Sequence, residues 1–405
     1  MSLDLSTLVQ KNDKRIVFLI ADGIGSIQSG PNNLTELQQA RTPNLDQLAA
    51  EGECGLLDPV MPGITPGSGP GHLGLFGYEP TEYIIGRGLL SALGVGFPLK
   101  GGDLAARLNF ATLDKQGNIV DRRAGRIPTE ENERIIAKLQ AKLPKAIDGV
   151  KIFLQAEAEH RAVLVLRGKG LSQALGDTDP QATGVPPLDP KGLDGKAATK
   201  KTVAIVKKLM AQIRKILADE PKANGVLARG FALHTELPSM ADRYGLTAGA
   251  IANYPMYRGV ASLVGMTLLE TGNNLLENIA VAGKRWQEYD FFFIHFKYTD
   301  KTGEDGDYEA KVKRIEELDA AIPALRALKP DVLVVTGDHS TPSKLKSHSW
   351  HPVPVVLWAP ATVRRDGVTE FNEVACAAGG MGRLPMKYLM QLALAHADKL
   401  MKFGA

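Results

Sequence analysis

Three aspartates, Asp22, Asp300 and Asp338, each close a run rich in apolar residues: IVFLIA, FFFIHFKYT and VLVVTG. Any one of them alone would read as a turn or cap residue, but three at equivalent places argue for a shared site. Asp338 is followed at once by His339, and His348 and His351 stand just before another apolar run, so three of eight histidines fall within 339–351. Carboxylates and imidazoles gathered in this way suit manganese, zinc or magnesium, whereas thiolates would have pointed to structural zinc. Ser68 lies in ITPGSGPGHLGLFGY, residues 64–78, whose glycines and prolines predict a loop rather than a helix or strand. Its hydroxyl is a weak nucleophile at neutral pH. A divalent cation would stabilise the alkoxide and clamp a phosphoryl oxygen, and a pair of cations would hold both the attacking and the leaving oxygen. The neighbouring glycines permit close backbone approach to a phosphate. The segment is no P-loop, because it lacks the GxxxxGK pattern and its prolines remove amide donors.

The elements that must position these residues read as α/β. RIVFLIADG is a strand buried on both faces, and TPNLDQLAAEG a short helix ending at glycine. Near the C-terminus DFFFIHFKYTD and DVLVVTGDH flank a segment in which Val312, Ile315, Leu318, Ile322 and Leu325 recur at helical spacing. A helix linking two strands predicts that they pair in parallel. VPVVLWAP and a terminal helix around MKYLMQLALAHADKL extend the same layer.

Between these halves the texture changes. ARLNFATLDKQGNIVDRRAG predicts a hairpin turning at 115–118, ERIIAKLQAKL a helix, and VKIFLQAEAEHRAVLVLRG a second hairpin. LGDTDPQATGVPPLDPKGLDG has the Pro/Gly/Asp content of a hinge or mobile loop, and the helical segments after Lys200 are expected to rejoin the main domain. The expected division is therefore 1–104 with 186–405 as the main domain and 105–185 as a smaller α+β insertion.

A chain of 405 residues, 44% hydrophobic and 23% charged, is long enough for two cores. A net charge of +3 is too small to imply a nucleic-acid or membrane partner, but leaves anionic small molecules open. Cys54 and Cys376 belong to no CxxC or Cys/His pattern, which fits a reducing cytoplasm. KNDKRIVFLIA has the basic-then-apolar order of a secretory signal, but its apolar run is too short and ends in Asp22. No run approaches the ~20 residues of a membrane span.

Several of these segments carry a resemblance. ADGIG, TPGSGPGHLGLFGYEP, IIGRGLLSALGVG, NFATLDKQGNIVDRRAGRI, HFKYTD, DGDYEAKV, TGDHSTPS and HSWHPVPV resemble, in order from about residue 15 to the C-terminus, the archaeal-type cofactor-independent phosphoglycerate mutases of the alkaline phosphatase superfamily. The resemblance implies an alkaline-phosphatase-like, mostly parallel sheet flanked by helices. It also implies two divalent metal ions, a phosphoserine intermediate, no 2,3-bisphosphoglycerate, and interconversion of 2- and 3-phosphoglycerate in glycolysis and gluconeogenesis. The same apparatus could serve a phosphatase or a phosphotransferase on another small compound such as homoserine.

By position, Ser68 matches the nucleophile, and Asp22, Asp338 and His339 the ligands of the metal that also touches it. Asp300 and His348 match ligands of the other metal. Relatives place a histidine four residues after that aspartate, whereas this chain has Glu304, so the third ligand is expected to be Glu304, then His351, then Asp305. A glutamate makes the site harder and more anionic, which favours manganese or magnesium over zinc. A substrate with a phosphate and a carboxylate needs charge-assisted donors, for which Arg123, Arg126, His160, Arg161, Arg229, Arg258 and Lys297 are the candidates.

Overall fold

The computed structural model describes residues 4–83, 85–234 and 237–404, which fall into two compact units. Unit 1 comprises residues 1–84 and 238–405, and unit 2 residues 85–237. In chain order the strands are β1 (Ile16–Ala21), β2 (Glu53–Asp58), β3 (Leu104–Leu113), β4 (Ile119–Asp121), β5 (Ala146–Ile147), β6 (Val150–Ala156) and β7 (Arg161–Arg167). They continue with β8 (Gly225–Leu233), β9 (Ala248–Ile251), β10 (Thr267–Leu268), β11 (Phe291–Phe296), β12 (Val332–Thr336), β13 (Val353–Trp358) and β14 (Gly382–Pro385).

Unit 1 is built on an eight-stranded sheet in the order β10-β9-β11-β1-β12-β13-β2-β14. Every residue of β1, β11 and β12 is buried, as the uninterrupted apolar runs require of strands covered on both faces. Strands β11 and β12 are parallel, as predicted, but they do not pair with each other: β1 lies between them and pairs with both. The linking helix Tyr308–Ala327 opens on Asp307, whose carboxylate accepts from the Ala310 N–H, and buries the five predicted apolar side chains. Each contributes about 1.5–3 kcal/mol by leaving water. Its Asp319 carboxylate accepts the N–H groups of Asn44 and Leu45, fixing the start of the predicted helix Pro43–Glu51. Strand β13 runs antiparallel to both β12 and β2.

Unit 2 is an α+β layer on a second, antiparallel sheet in which β3 pairs with β7 and β8, and both predicted hairpins form. Along β3, Leu104, Ala106, Leu108 and Phe110 face a core shared with the helices Thr129–Lys142 and Ala197–Leu217. The unit is larger than the expected 105–185 at both ends. Strand β8 pairs along nearly all of β3, and Ile205, Leu209 and Ile213 of the long helix complete this core rather than that of unit 1. The Pro/Gly-rich stretch after residue 175 is a loop tied into this unit, not its boundary or a free hinge: Leu175 bridges Gly192, and Thr178 bonds to Ala228 of β8.

Candidate active site

Register brings the three acids together. Ala21 lies opposite Phe296 and Ile20 opposite Thr336, so Asp22, the start of the helix Tyr298–Asp305 with Asp300 in its first turn, and Asp338 all leave the sheet at one edge, beyond the carboxyl ends of their strands. Asp22, Asp338 and His339 are fully buried and Asp300 nearly so. His339 Nε2 lies 3.3 Å from Asp22 Oδ1 and 3.2 Å from Asp338 Oδ2. Ser340 bridges to both Ile24 and Ser349, which returns the 348–351 segment to the same edge. There His348 stacks on His339 with ring centres 3.6 Å apart and sets its Nε2 3.5 Å from Asp300 Oδ1.

Ser68 is not on a loop. It is the first residue of the helix Ser68–Leu75, which starts because Pro70 falls in the first turn, where an N–H has no intrahelical partner to lose. The glycines that argued against a helix instead let it dock. A Cβ on Gly71 would lie 2.3 Å from the Asp338 carbonyl oxygen, and one on Gly74 2.8 Å from that of Pro59. The result is a Ser68 Oγ 3.3 Å from His339 Nε2.

Two donor groups emerge, Asp22–Asp338–His339 and Asp300–His339–His348, in each of which the donor atoms lie within 4.8 Å of one another. His339 takes part in both, where the sequence placed it in the first alone. Glu304 stands at the rim of the second, half exposed, with Oε1 3.8 Å from His348 Nε2. His351 turns instead to the Ser349 hydroxyl and stacks on Trp350, and Asp305 is an exposed residue ending the helix Tyr298–Asp305. Asp22 Oδ1 and Asp338 Oδ2 are buried without a hydrogen-bond donor, the state expected of oxygens kept for a cation.

Electrostatics match this geometry. Burial opposes ionisation of Asp22, yet the Lys297 ammonium together with His295 and His339 outweighs it and holds the carboxyl well below the usual range. Lys297 Nζ lies 2.9 Å from Asp22 Oδ2 and 2.5 Å from Asp300 Oδ2, spanning the two acids, and its own pKa is raised by them against the effect of burial. Burial, reinforced by Asp300, pushes the Glu304 carboxyl up. Burial pushes His339 down, toward the neutral imidazole that ligates metals.

Sequence reasoning missed a layer behind the site. His72 Nδ1 lies 2.8 Å from the Ser68 carbonyl and 3.2 Å from Asp338 Oδ2. The Tyr257 hydroxyl donates to Asp22, and its ring stacks on His295 at 3.8 Å. The Thr341 hydroxyl donates to Asp300 Oδ1 and lies 2.9 Å from His339 Nδ1. His295 interrupts an otherwise apolar strand and His72 follows Ser68 by one helical turn, so both carried a signal. Tyr257 carried none.

A family model described as 2,3-bisphosphoglycerate-independent phosphoglycerate mutase matches residues 49–223. Over 404 residues the chain is 51% identical to a probable 2,3-bisphosphoglycerate-independent phosphoglycerate mutase of Thermus thermophilus, covering 99% of this chain and 98% of that protein. The chain belongs to this mutase family. Among solved structures it is similar to the cofactor-independent phosphoglycerate mutase of Thermoplasma acidophilum, with a TM-score of 0.72 and 30% identity over 95% of this chain and 100% of that one. It is also similar to the PH0037 protein of Pyrococcus horikoshii, with a TM-score of 0.82 and 29% identity over 97% and 99%.

For a mutase of this family the basic candidates matter next, and they divide between the units. In unit 1, Lys297 lies among the acids, and Arg258 donates to the carbonyls of Ala252 and Leu269, just beyond β9 and β10. In unit 2, Arg229 lies directly across from Arg107 on β3, and Arg161 from Asn109, so all three arginines share the sheet face opposite the helical core. Arg107 was not anticipated. Burial lowers its pKa, and after partial relief from Glu157 the crowding by Arg87, Arg161 and Arg229 lowers it further. Arg229 is partly spent on Asp177 and Asp179, and Arg122 is locked onto Asp179 by two bonds of 2.9 and 2.8 Å. Arg123 and Arg126 are exposed on a short turn, and His160 is buried, its pKa lowered to about 4 by burial and by Arg161. Among the described residues no helix is long and apolar enough to cross a membrane.

Proposed function

We propose that the protein interconverts 2- and 3-phosphoglycerate by moving the phosphoryl group through Ser68. Family membership supports the reaction, and the observation that carries the route is the Ser68 hydroxyl 3.3 Å from an imidazole that itself touches two buried aspartates. The donor sets fit two divalent cations, one held by Asp22, Asp338, His339 and the Ser68 oxygen, the other by Asp300 and His348 with Glu304 completing it. Carboxylate-rich donors of this kind favour manganese, with magnesium or zinc as substitutes. Such cations supply charge neutralisation around the phosphoryl oxygens and a lower pKa for the serine hydroxyl.

The chain's own groups then do the following. Ser68 Oγ releases its proton to solvent as the substrate binds and attacks phosphorus in line, forming the P–O bond to serine as the bond to glycerate breaks; the glycerate oxygen takes up one proton from solvent as it leaves, so the proton lost from serine is balanced. The phosphoryl oxygens face the N-terminal turn of the helix Ser68–Leu75, whose dipole favours negative charge. Lys297 places its ammonium between Asp22 and Asp300 and steadies the charge that spreads over the equatorial oxygens. The second glycerate hydroxyl then takes the phosphoryl group back, and a mutase, unlike a phosphatase, must keep water from the phosphoserine. In unit 2 we assign anion binding to Arg161 and Arg229 with Arg107, with Arg123, Arg126 and His160 at the margin; in unit 1 we assign it to Arg258.

The test is 3-phosphoglycerate conversion read through added enolase, alongside free phosphate release and ATP consumption. Conversion without either of the others supports a mutase. Phosphate release as the main product would make the protein a phosphatase, and a Ser68→Ala variant of unchanged activity would remove the serine route.

A further inference from the structure

Lys311 is the one lysine in the fold whose side chain is wholly withdrawn from water among the described residues, and it stands directly behind the acids at the sheet edge. It projects from the helix Tyr308–Ala327, and its ammonium donates to three backbone carbonyls: Gly23 at 3.0 Å, Gly25 at 3.2 Å and Thr341 at 2.8 Å. Gly23 and Gly25 belong to the loop that begins with Asp22. Thr341 belongs to the loop that begins with Asp338 and His339, and its hydroxyl reaches Asp300. One cation thus ties together the backbones that carry ligands of both donor sets.

The loops interlock closely enough for this tie to set their spacing. A Cβ on Gly23 would lie 2.5 Å from the Thr341 hydroxyl, one on Gly25 2.1 Å from that of Ser340, and one on Gly303 2.3 Å from the Thr341 carbonyl. Two acids, the buried Glu36 and the partly buried Glu373, also brace the loops. Glu36 accepts from the Ser343 N–H and hydroxyl, and Glu373 from the Ser26 N–H and the Thr35 hydroxyl. An ammonium is costly to bury, and packing alone would be served better by an apolar side chain. Three carbonyls oriented on it are the arrangement by which a fixed charge holds irregular backbone in place, and ligands held in advance bind a metal with less reorganisation.

We propose that Lys311 is a positioning residue whose buried ammonium holds the two ligand-bearing loops in register so that both cation sites exist before a cation arrives. The proposal rests on the two-cation reading above. Its test is Mn2+ binding to the metal-free full-length protein by calorimetry, for wild type, Lys311→Met and Lys311→Gln. Wild type is expected to bind two Mn2+. The methionine variant is expected to bind both at least tenfold more weakly, with glutamine intermediate, and rising Mn2+ is expected to restore kcat with KM for 3-phosphoglycerate little changed. Variants that melt lower yet bind Mn2+ with wild-type Kd would overturn the proposal and leave the two-cation reading intact, whereas wild type that binds no Mn2+ would end both. Should neither variant fold, 15N spectra of lysine-labelled, metal-free wild type decide: slowly exchanging Lys311 ammonium protons support the tie, and a freely exchanging amine refutes it.

Discussion

Replacing Gly71 by alanine should separate Ser68 from His339 without changing either side chain. The new carbon would sit 2.3 Å from the Asp338 carbonyl oxygen, against 3.4 Å or more for an ordinary contact, and the obstacle is backbone, so the helix Ser68–Leu75 must retreat by about 1 Å. Overpacking of this kind costs about 1–3 kcal/mol. Misplacing a reacting group by about 1 Å costs roughly a hundredfold in rate. The Ser68 hydroxyl, 3.3 Å from His339 Nε2, would be carried out of reach with the helix. The assay is kcat and KM by the enolase-coupled reaction beside thermal unfolding, with Gly67→Ala as the control, since a Cβ there meets only Pro70 Cδ at 3.8 Å. G71A is expected to lose some hundredfold in kcat with KM nearly held, and G67A to stay within a few-fold of wild type. A G71A protein that melts early but turns over normally would show that helix docking does not set the position of the nucleophile.

Other consequences can be checked on the same preparations. Glu304→His, which puts an imidazole at the rim of the second donor set, should raise Zn2+ affinity relative to Mn2+ by about tenfold in competition calorimetry; an unchanged ratio would remove Glu304 from the ligand set. Chelation should lower the melting temperature, since a cation present at 100–1,000 times its Kd stabilises the fold by about 3–4 kcal/mol, and melting indifferent to EDTA and to added Mn2+ would contradict the donor-set reading. Burial raises the Glu373 carboxyl to about 7, so the folded state holds this proton more tightly than the unfolded chain. Its stabilising contribution is complete below a pH of about 4.5 and is lost as pH rises through about 7, a swing of up to about 3 kcal/mol. Glu373→Gln should flatten melting temperature against pH across that window, and an undiminished slope would refute the assignment.

Much of the site was written in local pattern. An apolar run closing on Asp22, Asp300 or Asp338 is a property of a few consecutive residues, and a strand buried on both faces can end on a carboxylate only where the sheet ends. The helix Tyr308–Ala327 was equally legible, because its apolar period reports one buried face directly. The Gly/Pro segment around Ser68 misled because propensity prices glycine as a helix breaker, whereas here it is a spacer. What outweighs its entropy is close packing against Asp338, a residue 267 positions beyond Gly71.

The amino-acid sequence by itself determined the parts and the chemistry: the α/β alternation, the acids and imidazoles at strand ends, and a serine that glycines leave approachable. Tertiary structure alone decided that β1 separates β11 from β12, that His339 lies close to both donor sets, that β8 and the helix Ala197–Leu217 belong to unit 2, and that Tyr257, Lys311 and Arg107 stand where they do. The physical reason is that pairing partners and buried charges are settled by contacts between residues far apart in the chain. No local period records which strand lies between two others, or which lysine ends beneath three carbonyls.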